Sequence, residues 1–196
     1  MNFESGKLYH IYNRSNETVF YSRDNYLFFL EKINNLIFPV CDILAWCLMP
    51  NHFHFLVRAN NLSIATINKP HMNNYMVLSK NIGTLLSSYT QAINNQQHRK
   101  GKLFAHNTKA ICLNDTKRNE NYAINCFYYI HQNPHAANLV ERLEDWEFSS
   151  FHAYANLRNG KFVNKNLAYE IINYDKDNFI QQSYNIIDDK KLKYIW

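Results

Sequence analysis

The chain has 196 residues, 46% of them hydrophobic and 19% charged, with a formal net charge of +5, which suits one folded domain with a core of its own and excludes a disordered chain. No run approaches the ~18 consecutive apolar residues of a membrane span, and the opening MNFESGKLYHIYNRSNETVF lacks a basic start followed by an apolar block, so a cytoplasmic protein without a membrane partner is expected. The four cysteines at 41, 47, 112 and 126 form no Cys-x-x-Cys pair, which argues against a zinc ribbon or a disulfide framework and for reduced thiols packed as small hydrophobes.

Taken in chain order, KLYHIYN at 7–13 alternates in character between Gly6 and the polar NRSNE, as a strand leading into a loop does. Asp24 is placed to cap a first helix, in which Tyr26, Phe29, Leu30 and Ile33 recur at helical spacing until Pro39. DILAWCL and HFHFLVR are β-rich runs separated by MPN, a turn sequence, and predict an antiparallel pair. Residues 59–74 are polar and interrupted by Pro70, hence a loop.

A second helix is predicted over 75–95 from Met76, Leu78, Ile82, Leu85, Leu86, Tyr89 and Ile93, despite Gly83. GKLFAHNTKAICL predicts a strand or extended ribbon, and NDTKRNENYAINCFYYIHQNP a third helix opened by a capping signal and ended at Pro134. A short turn, a short helix in DWEFSSFHAYANL and a polar tail from Gly160 complete the chain. The order strand, helix, two strands, helix, strand, helix implies an α+β fold: a ferredoxin-like antiparallel sheet with helices packed on one face.

His52 and His54 open the second strand of the pair. Residues two apart on a strand point the same way with Cα atoms ~7 Å apart, so both imidazoles can converge on one cation while Phe53 and Phe55 enter the core. A lone His-x-His also arises by chance as two half-buried surface side chains. A second constellation lies in YYIHQNP, where Tyr129 and Asn133 share a helical face one turn apart. Asn133 can offer a carbonyl oxygen as a third ligand, and Tyr129 a phenol; Tyr128, turned by about 100°, should enter the core. The alternative is an ordinary aromatic helix face ending at a proline.

Between His98 and Arg118 lie Arg99, Lys100, Lys102, Lys109, Lys117 and Arg118 against Asp115 alone, a surplus equal to the net charge of the whole chain. Such a concentration favours a polyanion through counterion release, with a solvated loop as the alternative. The 14 Tyr and 13 Phe also provide many rings on which unpaired bases could stack, although most belong to the core.

GKLYHIYNR, AWCLMPNHFHFLV and YYIHQNPHAANLVERLEDWEFSSFHAY together resemble the Y1 transposases of the HUH endonuclease class, in particular those associated with repetitive extragenic palindromes (REPs). The resemblance runs from Gly6 to about Tyr154. It implies a catalytic domain over 1–160, an extension over 161–196, and a transposase that nicks and rejoins single-stranded DNA near hairpins through a 5′-phosphotyrosine.

On this resemblance Tyr129 is the catalytic nucleophile, with Tyr122 as second choice, and His52, His54 and Asn133 hold Mg²⁺ or Mn²⁺. Arg14, Arg99, Lys100, Lys102 and Lys109 are the DNA-binding candidates. Where family members usually read a glycine after NR and LFQGRFKA further on, this chain has Ser15 and LFAHNTKA, with Asn107 and Thr108 among the differences. The implied partners are single-stranded DNA and DNA hairpins, and the implied assembly a monomer or homodimer. A non-catalytic nucleic-acid-binding protein on the same fold is the alternative; a zinc module is disfavoured by the cysteine spacing.

Overall fold

Alternation of apolar side chains across KLYHIYN builds the first strand, β1 (Leu8–Arg14). The computed structural model describes residues 1–67, 75–104, 106–114, 121–185 and 187. The predicted contribution of Lys117 and Arg118, and the final segment of the tail, lie outside them. Helix α1 (Arg23–Leu36) follows. Its N-cap is Ser22 rather than Asp24, which lies in the first turn, where a carboxylate still faces the positive end of the helix dipole. Pro39 sits in a 3-10 turn over Phe38–Val40.

The MPN turn joins β2 (Cys41–Met49) to β3 (His52–Ala59) as an antiparallel hairpin, as predicted. The stretch predicted as plain loop instead begins with a short helix, α2 (Asn61–Ile64). Asn60 caps it by accepting from the Leu62 and Ser63 amides, and Ser63 Oγ returns a bond from the Asn60 amide, a reciprocal capping box. Two short strands, β4 (Thr66–Ile67) and β5 (Tyr75–Met76), pair with each other, and α3 (Val77–Gln96) follows. Pro70 lies outside the described residues.

Of the predicted ribbon only β6 (Lys109–Cys112) is strand. Helix α4 (Tyr122–Ala136) runs two residues past Pro134: a proline in the last turn removes one bond without breaking what precedes it. The helix then ends through Asn138, at a φ of 53°, with Ala137 N–H donating to Asn133 O. The rest comprises α5 (Phe151–Tyr154), α6 (Lys165–Ile172) and α7 (Phe179–Ser183). No helix among the described residues is long and apolar enough to cross a membrane.

The main sheet has the order β2-β3-β1-β6, every neighbour antiparallel. This is the ferredoxin-like α+β arrangement, but its helices differ from the expectation in one respect. Helices α1 and α3 cover one face, enclosing Tyr9, Ile11, Trp46, Phe53, Phe55 and Val57. Helix α4 crosses the other face over β2 and β3, packing on Leu44, Cys47, Met49 and Leu56.

The sheet is therefore covered on both sides. A register shift between Ile43 and Ala45 in β2 lets Leu44 and Ala45 both enter this second core. Helices α6 and α7 complete it, with Ala168, Ile172, Tyr174 and Phe179 buried against α4.

Candidate active site

The period of a strand decides what β3 can present. Phe53 and Phe55 enter the α1/α3 core, and His52 and His54 face α4. The antiparallel register sets Arg14 opposite His52 and Tyr12 opposite His54, so His10, Tyr12 and Arg14 of β1 share the face of the histidine pair. The His52 and His54 ring centroids are 5.1 Å apart, close to perpendicular at 85°. His54 is fully buried and His52 nearly so.

Each imidazole is gripped at Nδ1. His52 Nδ1 lies 2.6 Å from Asn51 Oδ1, and His54 Nδ1 lies 2.9 Å from Nε2 of a third buried histidine, His10. Burial holds both rings neutral. It pushes the His52 imidazole down to about 4, a fall resisted by the Asn133 side chain nearby and deepened by Arg14. It also drives His54 well below the ordinary imidazole range, with His10, His52 and Arg14 adding to the effect.

Helix α4 brings the second half of the constellation over the first. The Tyr129 ring stands edge-on to His54 at 5.6 Å between centroids. Asn133, one turn on, donates from Nδ2 to Tyr129 O at 3.0 Å, and its side chain lies near enough to both groups to raise the His52 imidazole and lower the Tyr129 phenol. One amide thus lies beside both the histidine pair and the phenol. Burial raises the Tyr129 phenol far above its ordinary range, while Asn133 and Arg14 act in the opposite direction.

The other two tyrosines of α4 are also buried. Tyr128 packs against Phe127 and Phe179, as its rotation from Tyr129 predicts, and Tyr122 is buried in the second core. His52, His54, Asn133 and Tyr129 are brought together. The donor set suits a divalent cation: two neutral imidazoles keep a ring lone pair each, and their Nδ1 atoms are held by outer partners. An amide oxygen adds a hard ligand, a mixture that Mn²⁺ accepts more readily than Mg²⁺ does.

No family model matches the sequence, and no curated protein matches it. Among solved structures the fold is similar to that of a REP-associated tyrosine transposase bound to a REP hairpin, with a TM-score of 0.55 and 16% identity over 80% of this chain and 83% of that one. The chain has the fold of a REP-associated tyrosine transposase.

Ser15 and Thr108, two positions at which the sequence departs from that family's usual pattern, have local partners within this fold. Ser15 is buried and donates from Oγ to Leu103 O at 2.8 Å, tying the loop after β1 to the segment before β6. Thr108 Oγ1 accepts from Asn13 Nδ2 at 2.9 Å, and His106 O accepts from the same nitrogen at 3.0 Å. Among the basic candidates, Arg14, Lys100, Lys102 and Lys109 are exposed. Arg99 is committed to Glu17 at 2.8 Å, with further bonds to Tyr21 and Lys102 O.

Residue-level reasoning passed over His10, Asn51 and Tyr12. His10 and Tyr12 alternate with core residues in β1, a signal identical to that of His52 and His54. Asn51 reads only as a turn residue until the hairpin is built.

Proposed function

We propose that the protein is a metal-dependent single-stranded DNA endonuclease and strand transferase, a transposase that nicks and rejoins DNA near hairpins through a 5′-phosphotyrosine. The observation that carries this reading is the convergence of Tyr129, edge-on to His54, and of Asn133, bonded to the Tyr129 carbonyl, on the His52/His54 pair. The fold supports DNA as the partner, since the similar transposase is bound to a REP hairpin. His52, His54 and Asn133 would hold the cation, Mg²⁺ or Mn²⁺, which when bound supplies positive charge against the transferring phosphoryl group.

The chain's own groups do the rest. Exposed Arg14, beside His52 and close enough to Tyr129 to favour its phenolate, binds the phosphate and lowers the cost of removing the phenolic proton. Asn133 lies beside the phenol and, like Arg14, favours its phenolate, and packing of Tyr129 edge-on to His54 sets the ring before DNA arrives. Tyr129 loses its proton and its oxygen bonds to phosphorus as the bond to the 3′-oxygen breaks. That oxygen leaves, protonated, as a 3′-hydroxyl. A 3′-hydroxyl attacking the phosphotyrosine reverses the exchange and rejoins strands without an external energy source. Lys100, Lys102 and Lys109 contribute phosphate contacts.

The test is incubation with Mn²⁺ or Mg²⁺ and labelled single strands from the flanks of the gene, read on a denaturing gel. The wild type should give a DNA-linked band. Tyr129→Phe should give none while binding the hairpin within about twofold of wild type, because a single hydroxyl is removed; a net change in folding stability of about 1 kcal/mol is expected. Hairpin binding without any adduct in the wild type would instead mark a non-catalytic DNA-binding protein.

A further inference from the structure

His10 has no assigned role, yet it is fully buried on the site face of β1 and its Nε2 lies 2.9 Å from His54 Nδ1. The two rings are nearly coplanar, at 17° with centroids 5.1 Å apart, and Tyr12 stacks on His10 at 4.9 Å. The β1–β3 register explains the pairing. His10 lies opposite Leu56 and Tyr12 opposite His54, so His10 reaches its partner along a diagonal of the sheet face, a span that aromatic side chains bridge.

Between two neutral imidazoles a single proton occupies the hydrogen bond, and its owner decides what His54 can do. If His10 Nε2 carries it, His54 accepts at Nδ1, its own proton sits on Nε2, and that nitrogen has no lone pair for a cation. If His54 Nδ1 carries it, Nε2 keeps its lone pair. We propose that His10 is a positioning residue for the cation site, accepting from His54 Nδ1–H so that His54 presents Nε2 as a ligand. The inference rests on the cation-binding reading given above. Asn51 makes the same selection at His52, where the acceptor is an amide oxygen and the direction of donation is fixed. Ligand histidines in metal sites are held in this way by outer acceptors, usually carboxylates or carbonyls. Here a histidine takes that place, which leaves the outer partner neutral.

The test combines a spectroscopic readout with two substitutions. Long-range ¹⁵N–¹H spectra of the metal-stripped wild type should report His54 as the Nδ1–H tautomer. Mn²⁺ affinity, measured by titration without DNA, should fall about 10- to 100-fold in His10→Leu, the range for loss of such an outer partner. In His10→Gln, whose side-chain oxygen can accept from the same Nδ1–H, it should stay within about threefold of wild type. A purely structural role would not be rescued by glutamine in this way.

An Nε2–H tautomer in the wild type, or unchanged Mn²⁺ affinity in a folded His10→Leu, overturns the proposal. Should His10→Leu fail to fold, the tautomer and the glutamine variant decide: tenfold or greater loss in His10→Gln also overturns it. Failure of the cation-site reading looks different, because the wild type itself would then bind neither Mn²⁺ nor Mg²⁺.

Discussion

Of the four buried histidines among the described residues, His52, His54 and His131 meet the same physical demand with different partners. His131 Nε2 is bonded to Ser150 Oγ at 2.7 Å beneath α4, and burial pushes its imidazole down to about 3. In the folded chain these rings stay neutral to about pH 4 for His52 and about 3 for His131, whereas in the unfolded chain each takes up a proton near pH 6.5. The unfolded state therefore binds more protons throughout that interval. Stability present above pH 6.5 is lost as pH falls toward 4, by about 1.4 kcal/mol per pH unit for each such histidine. Urea unfolding in chelator at pH 7 and pH 5 should show a clear drop; equal midpoints would mean that the rings are not buried as described. His52 and His54 were legible in the sequence because the two-residue period of a strand is a local signal. His10 carries the same local signal in β1, but its role does not show there, since it comes from pairing with a strand more than 40 residues away.

Helix α4 shows what a periodicity argument misses. Cys126, Phe127, Tyr128, Tyr129 and Ile130 are buried in succession, so no polar stripe announces which side faces the sheet, and its place on the opposite face from α1 and α3 was not readable. Its outer side is covered by the tail. Gln132 Nε2 donates to Ser183 O and Asn185 O at 2.8 and 2.7 Å. Phe179 of α7 packs on the rings of Phe127, His131, Phe151 and Tyr154. Replacing so buried an aromatic should leave a cavity directly behind the helix that carries Tyr129. Phe179→Ala is expected to cost about 3–5 kcal/mol in chemical denaturation, and a chain ended at Gly160 should lose the fixed position of α4. Wild-type stability in either variant would show that the tail merely rests on the fold.

At the scale of the whole molecule, charge and sheet order cooperate. The order β2-β3-β1-β6 was legible from the sequence of elements, because alternating strands and helices with one tight hairpin admit few topologies. The division of labour among the basic side chains was not, since composition counts Arg99 and Lys102 alike. Arg99 spends its charge on Glu17, while Lys102 is exposed. Lys102→Ala should therefore weaken single-stranded DNA binding and lower the salt slope by about 0.7, the share of one phosphate contact. Arg99→Ala should change the slope less; the reverse ranking, measured by titrating affinity against salt, would contradict this assignment.

The proposed function makes one chemical event central, attack by Tyr129 on a DNA phosphate beside the His52/His54 pair. The most direct measurement is peptide mapping by mass spectrometry of the covalent DNA adduct formed with Mn²⁺ on flanking single strands. A nucleotide remnant on Tyr129, absent in chelator, is the predicted result. Attachment at Tyr122 or Tyr128, or no adduct with any strand, would contradict the account.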